Sequence, residues 1–227
     1  MKTRVKYIVF LLFLGMPGLL VLARMDVPAA KLTVAFLAFA ACALLGLWMS
    51  KHVGLSSVIL NWLGGENHRA LSSAFACALI GAIALGYLWV FSARLFHPIV
   101  PENLYDRISV WQAMLYGAVY EEIIFRWGLM SLILFLFWRR FGDLDAKPGP
   151  LLCWMSILLS SIPFALAHLL SAWKLGYPTV SPFALFLLTL NCIAGVVLGW
   201  LYWKKGLESA ILAHMGAHIV IFSNWRA

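Results

Sequence analysis

Long apolar runs separated by short polar breaks set the pattern of this chain. They predict helices at about Tyr7–Leu22, Leu32–Ser50, Ala70–Phe96, Ile108–Phe137, Leu151–Trp173, Pro182–Trp203 and Leu207–Phe222. Runs of this kind are long enough to cross the ~30 Å hydrocarbon layer of a bilayer. The break from Phe141 to Pro150 holds Gly142, Asp143, Asp145, Lys147, Pro148 and Gly149, so it separates two helices cleanly. The stretch from Val53 to Arg69 is longer and mildly amphipathic, and is expected to lie along the membrane surface. The expected fold is all-α, a polytopic transmembrane helical bundle of about seven to eight spans in which residues 1–227 form a single integral membrane domain. The basic start through Lys6, followed by an apolar run, looks like a secretory signal. No small-x-small cleavage site precedes Arg24, so an uncleaved first span is expected.

Composition agrees with that setting: 63% of residues are hydrophobic and 11% charged, more apolar than a soluble core requires. The net charge of +8 then reports topology. A cytoplasmic N-terminus puts Lys2, Arg4, Lys6, Lys51, Arg69, Arg139, Arg140, Lys147, Lys204 and Lys205 inside, and leaves Arg24, Lys31, Arg94, Arg107, Lys174 and Arg226 outside. The excess of basic residues inside favours this orientation, in what is expected to be a bacterial cytoplasmic membrane. Because the basic residues flank spans and form no stripe, no nucleic-acid partner is expected; the lipid bilayer is the expected environment. Cys42, Cys77, Cys153 and Cys192 lie far apart within spans and read as packing residues. Gly195 and Gly199 fit the spacing for close helix packing, expected inside the monomer.

Candidate chemistry concentrates in one apolar run. Between Ile108 and Phe137 the charged residues are Glu121, Glu122 and Arg126. Each costs at least ~2.5–3.5 kcal/mol at membrane depth, which makes a functional site the default reading and a helix-registering ion pair the bland one. Glu122 and Arg126 are four apart and share a face, so they are expected to pair. Glu121 is rotated by ~100° and is expected to face a cavity as a free carboxylate, a candidate general base; the opposite assignment, with Glu122 catalytic, stays open. Of six histidines, His52, His68 and His97 fall in or beside loops, whereas His168, His214 and His218 fall within spans. His214 and His218, four apart, share a face. Three intramembrane histidines with two carboxylates exceed what packing explains.

The chain has no His-Glu-x-x-His, no Gly-x-Ser-x-Gly and no Asp within a predicted span. Two chemistries remain. A carboxylate and a histidine can activate a water for attack on a carbonyl whose oxyanion meets further donors. Alternatively a metal ion, zinc being the natural candidate, would be held by His168, His214, His218 and Glu121.

Glu121-Glu122-x-x-x-Arg126, Phe164-x-x-x-His168 and His214-x-x-x-His218 follow in the order and rough spacing of three motifs of the CAAX-protease and bacteriocin-processing family, also called CPBP or Abi. The approach from Gly195 through Gly206 and Leu207 to His214 is similar too. The resemblance covers about Trp111 to Val220 and marks 111–220 as a catalytic core. It implies a glutamic-type intramembrane endopeptidase, free of cofactor, acting on a membrane-associated protein or peptide near its C-terminal or membrane-adjacent segment. It further implies that Glu121 and His168 activate the water and that His214 helps bind the oxyanion, with Glu122, Arg126 and Phe164 in support. His218 stands where the family has Asn or Asp. An imidazole can still donate one hydrogen bond, but the substitution also strengthens the metal alternative. A non-catalytic immunity or scaffold protein is the reading from a different class.

Overall fold

The computed structural model describes residues 28–63, 68–97, 99–101, 104 and 108–225; the expected first span at Tyr7–Leu22 lies outside them, as do Lys2, Arg4 and Lys6. Among the described residues all regular structure is helical: α1 (Ala29–Val53), the short α2 (Val58–Leu63), α3 (His68–Leu95), a composite α4 over residues 110–141, α5 (Pro150–Lys174), α6 (Pro182–Lys205) and α7 (Leu207–Trp225).

The helix ends follow local chemistry. Gly54 closes α1 in the left-handed conformation, φ 72°, and donates its N–H to the Ser50 carbonyl. Ser109 and Gln112 form a reciprocal capping box at the start of α4. Ser181 accepts from the Ala184 amide at 3.1 Å, and Pro182 opens α6. Gly206 joins α6 directly to α7 at φ 94°; a Cβ there would lie 2.9 Å from Val58 Cγ2, so both torsion and space demand glycine.

Four helices are long and apolar enough to cross a membrane: α1, Leu71–Leu95 of α3, α5 and α6. Large apolar side chains cover their outer faces, Val34, Ile80 and Leu151 among them, as a lipid environment requires. The chain is thus an integral membrane helical bundle, although the described residues supply four candidate spans and not the expected seven to eight. The two other long helices, α4 and α7, carry Glu121, Glu122, Arg126, His214 and His218, while His168 lies on α5.

α4 is the centre of the bundle. Its second half packs on α1 and α5, its first half on α7; α3 runs along α7, and α6 fills the space between α5 and α7. Trp127 of α4 is fully buried and donates to the Ala43 carbonyl at 3.0 Å. A Cβ on Gly195 would meet Ser161 Cβ at 2.7 Å and one on Gly199 would meet Ile157 Cγ2 at 3.0 Å, so the paired glycines set the α5–α6 contact within the monomer.

α4 departs from the expected plain helix. Val110–Gln112 and Ser131–Phe141 are α-helical, but Ala113–Tyr120 and Ile123–Met130 take the wider π form on either side of Glu121 and Glu122. π-turns are uncommon and concentrate at functional sites. Within the 53–69 stretch, α2 is tied to the bundle by Glu208. The Ser57 hydroxyl, the Val58 amide (2.8 Å) and the Ile59 amide (3.4 Å) all donate to that carboxylate. Leu207 N adds a bond to the Ser56 carbonyl at 3.2 Å.

Candidate active site

The two glutamates of α4 face different partners, as their rotation about the helix demands. Glu122 and Arg126 are both fully buried, with Arg126 Nε 3.2 Å from Glu122 Oε2 at an angle outside hydrogen-bond geometry. The guanidinium also lies 4.0 Å from the centre of the Phe164 ring and donates from Nη2 to the Gly195 carbonyl at 3.4 Å. Phe164, carried on α5 one turn before His168, thus forms the apolar lid of the ion pair.

Glu122 has a second partner. His214 on α7 donates from Nδ1 to Glu122 Oε1 at 3.0 Å. The spacing that pairs Glu122 with Arg126 contains no sign of this bond, because its partners are 92 residues apart. With Nδ1–H committed to the carboxylate, the Nε2 atom of His214 is the one left for chemistry.

Glu121 turns to α5. Its Oε2 lies 3.5 Å from His168 Nε2, longer than an ordinary hydrogen bond. The two side chains are partly exposed, 19% and 23%, in contrast to the sealed Glu122–Arg126 pair, while Glu121 Oε2 itself is buried without a hydrogen bond. His168 is oriented by its own helix: Nδ1 donates to the Phe164 carbonyl at 3.0 Å. A carbonyl only accepts, so neutral His168 carries its proton on Nδ1 and presents a lone pair at Nε2.

His218 stacks on His214, ring centroids 4.8 Å apart and planes 26° apart. Its Nδ1 is buried without a hydrogen bond. Its Nε2 approaches α4 at Gly117, where a Cβ would be 3.4 Å away, in van der Waals contact with the ring. His52 belongs to another region altogether, bonded to the Trp48 carbonyl at 2.7 Å near the end of α1.

One ligand atom each from Glu121, His168 and His214 lie within 4.8 Å of one another. Two imidazoles with free Nε2 atoms, each held at Nδ1 by an acceptor, and one carboxylate are a donor set suited to zinc. His218 is outside that group, so the four-ligand set drawn from spacing contracts to three. Glu208, at the start of the helix that carries His214, accepts from Ser57, Val58 and Ile59 and caps α2.

Residues 103–220, just over half of the chain, match the family model described as type II CAAX prenyl endopeptidase Rce1-like. Comparison with curated proteins and with solved structures gives no match.

Proposed function

The chain belongs to the Rce1-like type II CAAX prenyl endopeptidase family, and on that premise we propose that it is a glutamic-type intramembrane endopeptidase in which Glu121 and His168 activate water. The observation that carries the reading is the Glu121–His168 pair: two partly exposed side chains, 3.5 Å apart, with Glu121 Oε2 left without a hydrogen bond, beside a sealed ion pair. An ionised carboxylate and an Nε2 lone pair both accept, so a water with two O–H donors is the species that satisfies both.

The chemistry follows from the donors. Water loses a proton to Glu121 while its oxygen bonds to the scissile carbonyl carbon, and the C=O electron pair moves onto oxygen. That oxyanion takes hydrogen bonds from His214 and His218. His214 donates from Nε2 as the imidazolium, for which Glu122 supplies the counter-charge. On collapse the C–N bond breaks, the amine takes the proton held by Glu121, and a new carboxyl and amine terminus leave. Glu122, Arg126 and Phe164 fix His214 and the α4–α5 contact without touching substrate.

The substrate is a membrane-associated protein or peptide cleaved near its C-terminal or membrane-adjacent segment, prenylated CAAX tails being the class the family name suggests. Counting α4, α7 and the span expected at Tyr7–Leu22 with the four apolar helices gives a bundle of seven spans, with a cytoplasmic N-terminus in a bacterial membrane. Residues 1–227 act as one membrane domain, with its catalytic core at 111–220.

Detergent-purified protein with a fluorogenic farnesylated CAAX peptide tests the reading. Glu121→Gln and His168→Ala are each expected to lower kcat by 10³-fold or more, the scale of losing a catalytic base. Cleavage by both variants at the wild-type rate would overturn the reading in favour of a non-catalytic binding role.

A second reading rests on the Glu121–His168–His214 cluster: these three side chains would hold a zinc ion with one position open, and the metal would lower the pKa of a bound water. Treatment with a chelator followed by metal analysis separates the two. Activity lost with the metal and restored by zinc favours the second reading; full activity at less than one metal per ten chains favours the first.

A further inference from the structure

α4 answers to two sets of neighbours. Its last segment, Ser131–Phe141, is keyed to α1: Leu134 is fully buried and the Phe135 ring lies 5.0 Å from that of Trp48. Glu121 and Glu122, earlier on the same helix, must meet His168 of α5 and His214 of α7. Between them runs the π stretch Ile123–Met130. A π-turn takes in one residue more than an α-turn, and each residue of an α-helix advances ~100° about the axis. Exchanging one turn for the other would therefore swing the carboxylates about the helix relative to the segment held by α1.

Ser131 closes this stretch. Its N–H reaches back five residues to the Arg126 carbonyl, and also to that of Gly128. Its hydroxyl donates to the same Arg126 carbonyl at 3.4 Å and is bonded to the Tyr202 hydroxyl of α6 at 2.8 Å. A carbonyl only accepts, so with Ser131 donating to it Tyr202 is the donor of the shorter bond. Tyr202, Ser131 and Arg126 are all fully buried, where an unmade hydrogen bond is costly. This chain of donors ends on the backbone of Arg126, whose side chain faces Glu122, the acceptor that holds His214.

We propose that Tyr202 and Ser131 are positioning residues: their hydroxyls hold the π-turn from Arg126 to Ser131, and so keep Glu121 and Glu122 in phase with the histidines. The inference rests on the endopeptidase reading above. It adds no step to the reaction, and neither side chain touches substrate.

Tyr202→Phe isolates the hydroxyl, because the ring contact with Trp127, centroids 6.0 Å apart, is kept. With the farnesylated CAAX peptide, assayed well below the melting temperature, kcat is expected to fall about 10-fold with KM within twofold. Ser131→Ala should fall as far, and the double variant no further than the larger single loss, since both break one chain. The backbone amides of residues 123–131 are expected to exchange faster with deuterium in each variant, while those of α1 keep the wild-type rate. A wild-type kcat in both single variants, or losses that multiply in the double variant, overturns the assignment and leaves the endopeptidase reading intact. So does a lowered melting temperature with kcat unchanged, the mark of two residues that only stabilise the fold. If wild type and Glu121→Gln alike left the peptide uncut, the endopeptidase reading would fall and the inference with it.

Discussion

Arg126 and Glu122 sit without solvent access, so their removal separately and together should give opposite results. Arg126→Met strands a buried carboxylate and is expected to cost about 3–5 kcal/mol, read as a large drop in melting temperature in detergent. Glu122→Leu with Arg126→Met removes both charges and should recover most of that stability, because apolar replacements for a buried pair are often neutral. It should not recover peptide cleavage, since His214 then lacks the acceptor that orients Nδ1. A double variant cleaving at the wild-type rate would show that Glu122 has no part in holding His214. Tyr120→Phe is the useful contrast: losing the bond to Ala35 is expected to cost about 1 kcal/mol and to leave kcat unchanged.

At the scale of the element, α4 and its neighbours decide where the histidines sit. Gly117→Ala adds a Cβ 3.4 Å from His218 Nε2, a contact the ring can accommodate. Gly117→Val places further methyls in the space the ring occupies, and is expected to cut kcat at least 10-fold while shifting the melting temperature little. Equal rates for Val and Gly would remove His218 from the mechanism. The long helices themselves were legible in the sequence: the run read as Leu151–Trp173 is Pro150–Lys174 in the structure, because proline and lysine mark the ends of an apolar span. The split of Glu121 from Glu122 was legible for the same kind of reason, a 100° rotation per residue. The π stretches of α4 were not, since apolar periodicity cannot tell an i+4 from an i+5 hydrogen bond. Nor was the capping of α2 by Glu208, a contact across some 150 residues of sequence that no local pattern announces.

At the scale of the whole molecule, charge and chemistry lie towards opposite ends. The ends of α1, α4 and α6 and the start of α5 gather Lys51, Arg139, Arg140, Lys147, Lys204 and Lys205, and Lys147 clamps this end by donating to the carbonyls of Lys51 and His52 at 3.2 and 3.0 Å. The other end holds Lys31, Arg94 and Lys174 among the described residues. Glu121 lies in the first half of α4, and His168 and His218 lie in the last two turns of α5 and α7, all displaced towards that less basic end. If basic residues stay inside, the cluster faces the outer half of the bilayer. Single cysteines in a chain whose four native cysteines are replaced by alanine test this. Thr179→Cys, between α5 and α6, is expected to react with a membrane-impermeant maleimide on intact cells. Asp145→Cys, between α4 and α5, is expected to react only after permeabilisation. The reverse pattern would turn the cluster towards the cytoplasm, where its substrates would have to present their tails. The expected pattern restricts them instead to segments that reach the outer half of the membrane.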